Sequence, residues 1–411
     1  NAVTTALAAA DRRHGGFGAA PKFPQAPLLG LLAAWAEAGE QGSAPAREGL
    51  LAALEAMATG GLMDQLGGGF HRYCVDESWT VPHFEKMLYD NALLLPLYLA
   101  GERLGGSPRC RAAAEGIVAW LTREMRHPAG AFFAAQDADQ EGEEGLSYLW
   151  RPEEMTAVLG AGEGAWAAEQ LGVTLAGNAE AGRSVPTRRG PLLEGAAAAR
   201  LEDAMRRLLE ARRARPAPGT DDKVIVSWNA LCALGLDEAA RQWDRPQLRR
   251  MAEDVVRFLL VQLRLPDGSL AHVWRHGKAA VPAFLDDLGA LAWVCLRLAA
   301  SEPTGSWAQA GRDLCEQMLA EHVDAEGAVV YRTGPRHEEL FLRLSDLLDQ
   351  ATPSGASLAA AALLERQRLL GRAEAHPALL ATLRAVGKVA QEHPGAAAGL
   401  LTVALRLGGE S

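Results

Sequence analysis

The sequence predicts an all-α fold, a closed (α/α)6 toroid with short β-hairpins at one end, and three observations carry that prediction. Apolar segments with helical periodicity come in pairs. Most pairs end in a short turn in which glycine precedes an aromatic or apolar residue. These turns recur at a nearly constant interval, the mark of a repeat architecture. They read HGGFG (His14 to Gly18), GGGFHRY (Gly67 to Tyr73), AGAFFAAQDAD (Ala129 to Asp139), DGSLAHVW (Asp267 to Trp274) and EGAVVYRT (Glu326 to Thr333). Gly16 and Gly69 are 53 residues apart, Gly69 and Gly130 are 61 apart, and Gly268 and Gly327 are 59 apart. Each interval holds about two helices and a small hairpin. The 138 residues from Gly130 to Gly268 are too many for one pair and imply an insertion at 140–222, which carries EGEEG, AGNAEAGRSVPTRRGP and an Arg-rich segment. The whole of 1–411 then reads as a single toroid domain with an excursion.

Taken in chain order, the helices fall into two alternating series. Ala2 to Arg13, Pro45 to Ala58, Arg109 to Arg126, Pro246 to Leu263, Ser306 to His322 and Ala373 to Gln391 are denser in Arg and Glu on one face and read as outer helices. Pro27 to Ala38, His83 to Leu104, Ser227 to Trp243, Pro282 to Ala300, Ser354 to Leu370 and Gly395 to Leu407 are more uniformly apolar and read as inner helices. Every helix can bury its stripe against a neighbour if the first terminal segment pairs with the last. An open stack would instead need polar caps at both ends.

Composition narrows the function classes. A chain of 411 residues with 49% hydrophobic and 22% charged residues can bury a large core, and a mean hydropathy of -0.04 leaves no room for a string of membrane spans. A net charge of -10 and a pI near 5.6 lack the basic footprint of a nucleic-acid binder, so neither nucleic acid nor membrane is an expected partner. The five cysteines, Cys74, Cys110, Cys232, Cys295 and Cys315, are odd in number, widely spaced and without a Cys-x-x-Cys. That favours reduced thiols in a cytoplasmic protein and gives no sign of a metal or a cofactor. The chain opens on Asn1 rather than Met, so upstream sequence is expected to be missing.

Inner helices that point the same way share one mouth at their N-termini, where free N–H groups and aligned dipoles gather. The sequence decorates those N-termini with Pro82-His83-Phe84-Glu85-Lys86, Asp90-Asn91, Lys223 with Trp228-Asn229, Asp286-Asp287 and Ser354, and leaves the C-terminal halves almost wholly apolar. A pocket at that mouth is the expected site. A helix beginning at His83 would place His83, Lys86 and Asp90 on one lumen-facing stripe at i, i+3 and i+7. His71, Arg72 and Tyr73, just before it, offer an acid/base, an anion fork and a stacking ring. Asp137, Asp139, Glu141 and Gly142 resemble the first half of a calcium loop, but its twelfth position is Tyr148 rather than a glutamate, so no metal is expected. These carboxylates, with Glu144, are expected to reach over the mouth beside Tyr148 and Trp150. Of Asp286 and Asp287, one can cap its helix while the other faces the lumen. Three of the five lysines, Lys22, Lys86 and Lys223, lie in these segments, although Arg is the default cation of the chain.

GGFGAAPKFP (Gly15 to Pro24), MDQLGGGFHRYCVDESWTVPHFEKMLYDNALL (Met63 to Leu94), DADQEGEEGLSYLW (Asp137 to Trp150), DDKVIVSWNAL (Asp221 to Leu231) and TPSGAS (Thr352 to Ser357) together resemble the thioredoxin-domain-containing family that includes spermatogenesis-associated protein 20. The resemblance runs through nearly the whole chain. It implies a six-hairpin, glycosidase-like toroid similar to N-acylglucosamine 2-epimerase, preceded in the family by a thioredoxin-like domain that this sequence does not include. Cys74, Leu288 and Ala356 depart from the Ser, Tyr and Asn that the family pattern leads one to expect, and AGNAEAGRSV blurs a Gly-Asn-x-Glu-Gly stretch.

Two functions are therefore expected as alternatives. The first is a carbohydrate-active enzyme acting on a sugar or sugar derivative. Epimerisation or isomerisation would use His71 and His83 as bases with Lys86 or Arg72 on the enediolate. Glycoside hydrolysis would pair Glu85 or Asp90 with Asp137, Asp139 or Asp287. In both, Tyr73, Asn91, Trp150, Lys223, Trp228, Asn229, Asp286 and Ser354 would hold the ligand. The second is a non-catalytic binding or regulatory toroid module, working beside the thioredoxin-like domain. Catalytic groups should face a common void with perturbed pKa values, whereas groups of a binding module should be tied up with one another.

Overall fold

The computed structural model describes residues 2–39, 42–324, 330–338, 341–372 and 374–408. Its helices are α1 (Ala2–Ala8), α2 (Ala26–Ala38), α3 (Ser43–Thr59), α4 (Leu88–Arg103), α5 (Pro108–Trp120), α6 (Pro152–Leu159), α7 (Ala161–Gln170), α8 (Gly195–Arg212), α9 (Val226–Gln242), α10 (Pro246–Gln262), α11 (Leu285–Leu298), α12 (Ser306–His322), α13 (Gly355–Leu369), α14 (Pro377–Ala385), α15 (Gly387–Glu392) and α16 (Ala398–Gly408). Six of them make the inner ring: α2 packs on α4, α4 on α9, α9 on α11, α11 on α13, α13 on α16, and α16 back on α2. Helices α1, α3, α5, α10, α12 and the α14–α15 pair form the outer layer. The toroid is closed.

Each turn motif does the same structural task. The residue after an outer helix makes one antiparallel bridge to the apolar residue that follows the glycine: Ala10 to Phe17, Met63 to Phe70, Arg126 to Phe132, Arg264 to Leu270 and Val323 to Val330. The opening of the last motif, with Gly327, lies outside the described residues. Glycine is required where the chain crosses closest. Gly68 has φ 75°, and a Cβ there would sit 2.2 Å from the carbonyl oxygen of Gly116.

Several boundaries differ from the periodicity. The second inner helix begins at Leu88, not His83, so the expected i, i+3, i+7 stripe of His83, Lys86 and Asp90 does not exist. Pro82–His83 pairs with Tyr73–Cys74, and Lys86–Met87 pairs with Ala135–Gln136. Val81, which precedes a proline, is biased toward extended backbone, and these ladders give the segment its partners. The first outer helix stops at Ala8, and Asp11 Oδ1 then accepts the Arg13 and His14 amides. The last outer helix breaks into α14 and α15 at Gly387, and its expected start, Ala373, lies outside the described residues. The insertion folds α6, α7 and α8 around a small core of their own, with Trp150, Met155, Leu171 and Leu208 buried together. The five cysteines are buried and unpaired. No helix among the described residues is long and apolar enough to cross a membrane.

Candidate functional site

The inner helices run in one direction. Their C-terminal ends meet where Arg103 of α4 reaches Glu37 of α2 and Glu238 of α9, at 2.6 and 2.8 Å. Their N-terminal ends meet at the other mouth, where the hairpins lie. Between the two ends a cavity of about 720 Å³ follows the ring axis. A second hollow of about 670 Å³ opens at the N-terminal mouth, lined by Phe17, Phe23, Gln25, Asp90 and Asp349.

At this mouth the structure assembles an aromatic and acid-rich surface. Tyr73 stacks between Phe23 at 4.7 Å and His83 at 5.0 Å. His83 Nδ1 lies 2.7 Å from Glu144 Oε1, and its Nε2 lies 3.8 Å from Glu85. Arg72 bridges onward, donating to Glu85 at 3.2 Å and to the Tyr89 hydroxyl at 3.1 Å, and Tyr89 meets the edge of Trp228 at 4.8 Å. Asp90 is 6% exposed, and its Oδ2 has no hydrogen-bond partner among the described residues. Burial pushes its carboxyl well above the usual range, aided by Glu85 and opposed by Arg72.

The N-terminus of α11 anchors a second carboxylate–histidine pair. Fully buried Asp287 accepts from the Phe284 and Ser227 amides at 2.9 and 3.0 Å and holds His272 Nδ1 at 2.7 Å. Asp287 is thus the capping member of its acid pair. Burial, with the charge of Asp287 beside it, pushes Asp286 up to about 7. Burial works against a charge on His272, but the hydrogen bond and charge of Asp287 outweigh it and raise the imidazole above its ordinary value. Both histidines have Nδ1 anchored by a carboxylate, which fixes ring orientation and tautomer.

Other expected site residues lie elsewhere. Lys86 is completely buried, 2.8 Å from Asp64 and 2.9 Å from the Gly68 carbonyl, and the other Asp64 oxygen binds Arg212 at 2.8 Å. Burial alone would raise the Asp64 carboxyl, but the charges of Arg212 and Lys86 hold it well below the usual range. His71 is 1% exposed, its Nδ1 3.0 Å from the Phe84 carbonyl and its ring packed against Phe84 and Tyr148. Burial, then the Lys86 charge, pushes it down to about 3, so it is neutral and enclosed. Trp150 is in the core of the insertion under Arg215, not over the mouth. Asp137 and Asp139 sit on an exposed hairpin, from which Glu144 alone reaches the site. Lys223 pairs with Asp221 at 3.0 Å on the surface.

Asn91 and Asn229 are matching clasps. Asn91 Oδ1 accepts from the Phe70 amide at 2.7 Å while its Nδ2 donates to the Phe70 carbonyl at 2.9 Å. Asn229 does the same to Phe132 at 2.8 and 3.0 Å. Each ties an inner helix to the turn preceding it. Ser354 caps α13, its Oγ accepting from the Ser357 amide, while Asp349 accepts from Ser354, Ser357 and Gly399.

His272, Asp349 and Tyr89 were not legible as site residues in the way Arg72 was, yet one signal was available for His272. Phe70 and Leu270 are the bridged residues of their turns, and Arg72 and His272 each stand two positions beyond. Successive side chains alternate faces in extended chain, so the first residue beyond the bridge (His71, Ala271) is buried and the second is half exposed at the mouth.

The closed six-hairpin toroid is a fold shared with solved sugar epimerases and isomerases. The fold matches that of a cellobiose 2-epimerase from Spirochaeta thermophila with a TM-score of 0.58 and 14% identity, covering 99% of this chain and 92% of that one. It matches a D-mannose isomerase with a TM-score of 0.60 and 9% identity, covering 93% and 82%. No family model matches the chain. Spermatogenesis-associated protein 20 of Rattus norvegicus is 30% identical over 406 residues, 88% of this chain and 52% of the relative, and that of Homo sapiens is 30% identical over 410 residues. Over that stretch the chain is similar to the spermatogenesis-associated protein 20 homologues. It spans about half the length of the curated relatives it matches.

Proposed function

We propose that the N-terminal mouth binds a sugar or sugar derivative and transfers a proton on it, as an epimerase or isomerase does. The observation that carries this reading is the pair of imidazoles, His83 and His272, each anchored at Nδ1 by a carboxylate and both at the entrances of inner helices. Two-base chemistry needs such a pair. One imidazole takes the proton from the carbon beside the carbonyl of the opened sugar, and the electron pair moves onto the carbonyl oxygen as an enediolate. Arg72 supplies the positive charge that stabilises it. The other imidazole returns a proton to the opposite face. Phe23, Tyr73 and Trp228 offer apolar faces for the ring, and Asp90, whose carboxyl burial raises well above the usual range, offers its unpartnered oxygen to a sugar hydroxyl. The names of the structural relatives, a cellobiose 2-epimerase and a D-mannose isomerase, support the substrate class.

The test is hydrogen exchange. Aldoses and their 2-epimers incubated in deuterium oxide should gain deuterium at C2 with the unaltered protein and lose that gain in His272→Gln, with His83→Gln slowed by at least about tenfold, on the scale of a positioned acid/base. Absence of exchange on every sugar tested would favour the second reading, a non-catalytic module of the same mouth. That reading has its own support, since His71, Lys86, Asn91, Asn229 and Asp287 all have structural partners.

A further inference from the structure

The hollow of about 670 Å³ at the N-terminal mouth differs in charge from the imidazole pair beside it. Its wall includes Phe17, Phe23, Asp90, Asp349, Glu392 and His393, and among the described residues that line it there is no lysine or arginine. Its acids are not alike. Asp349 is committed, accepting from the Ser354 and Gly399 amides and the Ser357 hydroxyl at 2.8, 2.6 and 2.8 Å, so it lends charge rather than a free oxygen. Glu392 is exposed. Asp90 is buried in the first turn of α4, where the helix dipole favours an anion, yet its Oδ2 has no hydrogen-bond partner among the described residues. The nearby cation, Arg72, is already shared between Glu85 and the Tyr89 hydroxyl. A buried carboxyl left unanswered beside other acids costs stability unless a ligand answers it, and its raised value reflects that burial.

On the sugar-binding reading of the mouth, we propose that the substrate is an amino sugar whose ammonium group enters this hollow and pairs with Asp90 beside the rings of Phe17 and Phe23. Neither His83 nor His272 lines the hollow, so the ammonium stands on a part of the sugar remote from C2, where the imidazoles act. A hydroxyl would satisfy the oxygen but leave the acid charge unanswered, whereas an ammonium brings hydrogen-bond donors and the missing charge together. The cation offsets the cost of burial and restores the ionised carboxylate. Aromatic faces attract the same group. A metal ion fits less well, since among the described residues no group of three or more His, Cys, Asp or Glu side chains is placed to hold one.

The probes are glucose, 6-amino-6-deoxyglucose as its ammonium salt and 6-acetamido-6-deoxyglucose, titrated calorimetrically into the full chain at neutral pH. The ammonium sugar should bind at least about tenfold more tightly than either neutral sugar, the difference a charge-assisted contact makes, and Asp90→Asn should bring that preference close to unity. Equal binding of the three sugars, or tighter binding of the acetamide, would overturn the ammonium site. A preference undiminished in Asp90→Asn would overturn its assignment to Asp90. The comparison of sugars needs no variant, so a misfolded Asp90→Asn leaves the proposal open to refutation. Deuterium exchange on the same sugars separates the two readings of the mouth. Exchange on glucose without an ammonium preference removes only the amino-sugar substrate, an ammonium preference without exchange removes only the proton transfer, and silence in both removes both.

Discussion

The two mouths of the ring are made by opposite ends of the same six helices, and they hold their charges differently. At the hairpin end Asp287 is answered by two amides and an imidazole, Asp349 by amides and hydroxyls, and Asp64 by two buried cations. At the far end long arginines meet carboxylates mostly in half-exposed pairs, with Asp237, held by Arg241 and Arg249, the buried exception. Connection length explains the contrast. From Thr59 to Leu88, and again from Met125 to Val226, long segments fold back over the helix N-termini and bury what they carry, whereas α4 and α5, or α9 and α10, are joined by only a few residues at the far end. Helix dipoles favour acids at one end and arginines at the other. The covering loops turn the acids at the hairpin end into fixed, desolvated groups, of which Asp64 is held well below its ordinary range and Asp349 is raised by burial.

The sharpest break of this contrast is Asp64→Ala, which strands Lys86 and Arg212 as buried, unpaired cations and should cost about 3–5 kcal/mol in urea unfolding. A loss near that of a surface pair would mean the network does not hold the hairpin end together. Because the folded carboxyl lies well below its ordinary value, its contribution is present above about pH 4 and is lost as pH falls through the folded value. Asn91→Ala and Asn229→Ala each remove a clasp on a buried amide and carbonyl and should cost about 1–3 kcal/mol apiece, with melting curves as the readout. Asp90 has the opposite sign to Asp64. Its folded carboxyl is raised, so stability is greatest below the unfolded value and falls as pH rises; Asp90→Asn should flatten the fall of the melting temperature above about pH 4. Smallest of all, Arg103→Ala at the open end should cost less than about 1 kcal/mol despite three partners, since all are partly exposed.

Legibility followed the same division. The turn motifs were readable because a glycine crossing and a bridged apolar residue leave a fixed local pattern, and five bridges stand at Phe17, Phe70, Phe132, Leu270 and Val330. Arg72, Tyr73, His83, Glu85, Asp90 and Trp228, read as mouth residues, are gathered there by the hairpins. His71 and Lys86, expected at the mouth, are instead enclosed, because their environment is not local. The Asp64 that neutralises Lys86 also binds Arg212, 148 residues further on in the insertion, and Tyr148, which covers both His71 and Lys86, comes from the same excursion. Periodicity alone could not reveal that Pro82–His83 and Lys86–Met87 would pair with strands rather than continue the helix.

The alternation of apolar and amphipathic segments, with a glycine turn after most pairs, determined by itself that the chain would wind into a closed double ring, because each stripe can be buried only against its neighbours. The placement of the acid–base groups was decided by tertiary structure. Whether an imidazole is a neutral core residue, as His71 is, or a carboxylate-anchored group at an opening, as His272 is, depends on which distant segments exclude water from it.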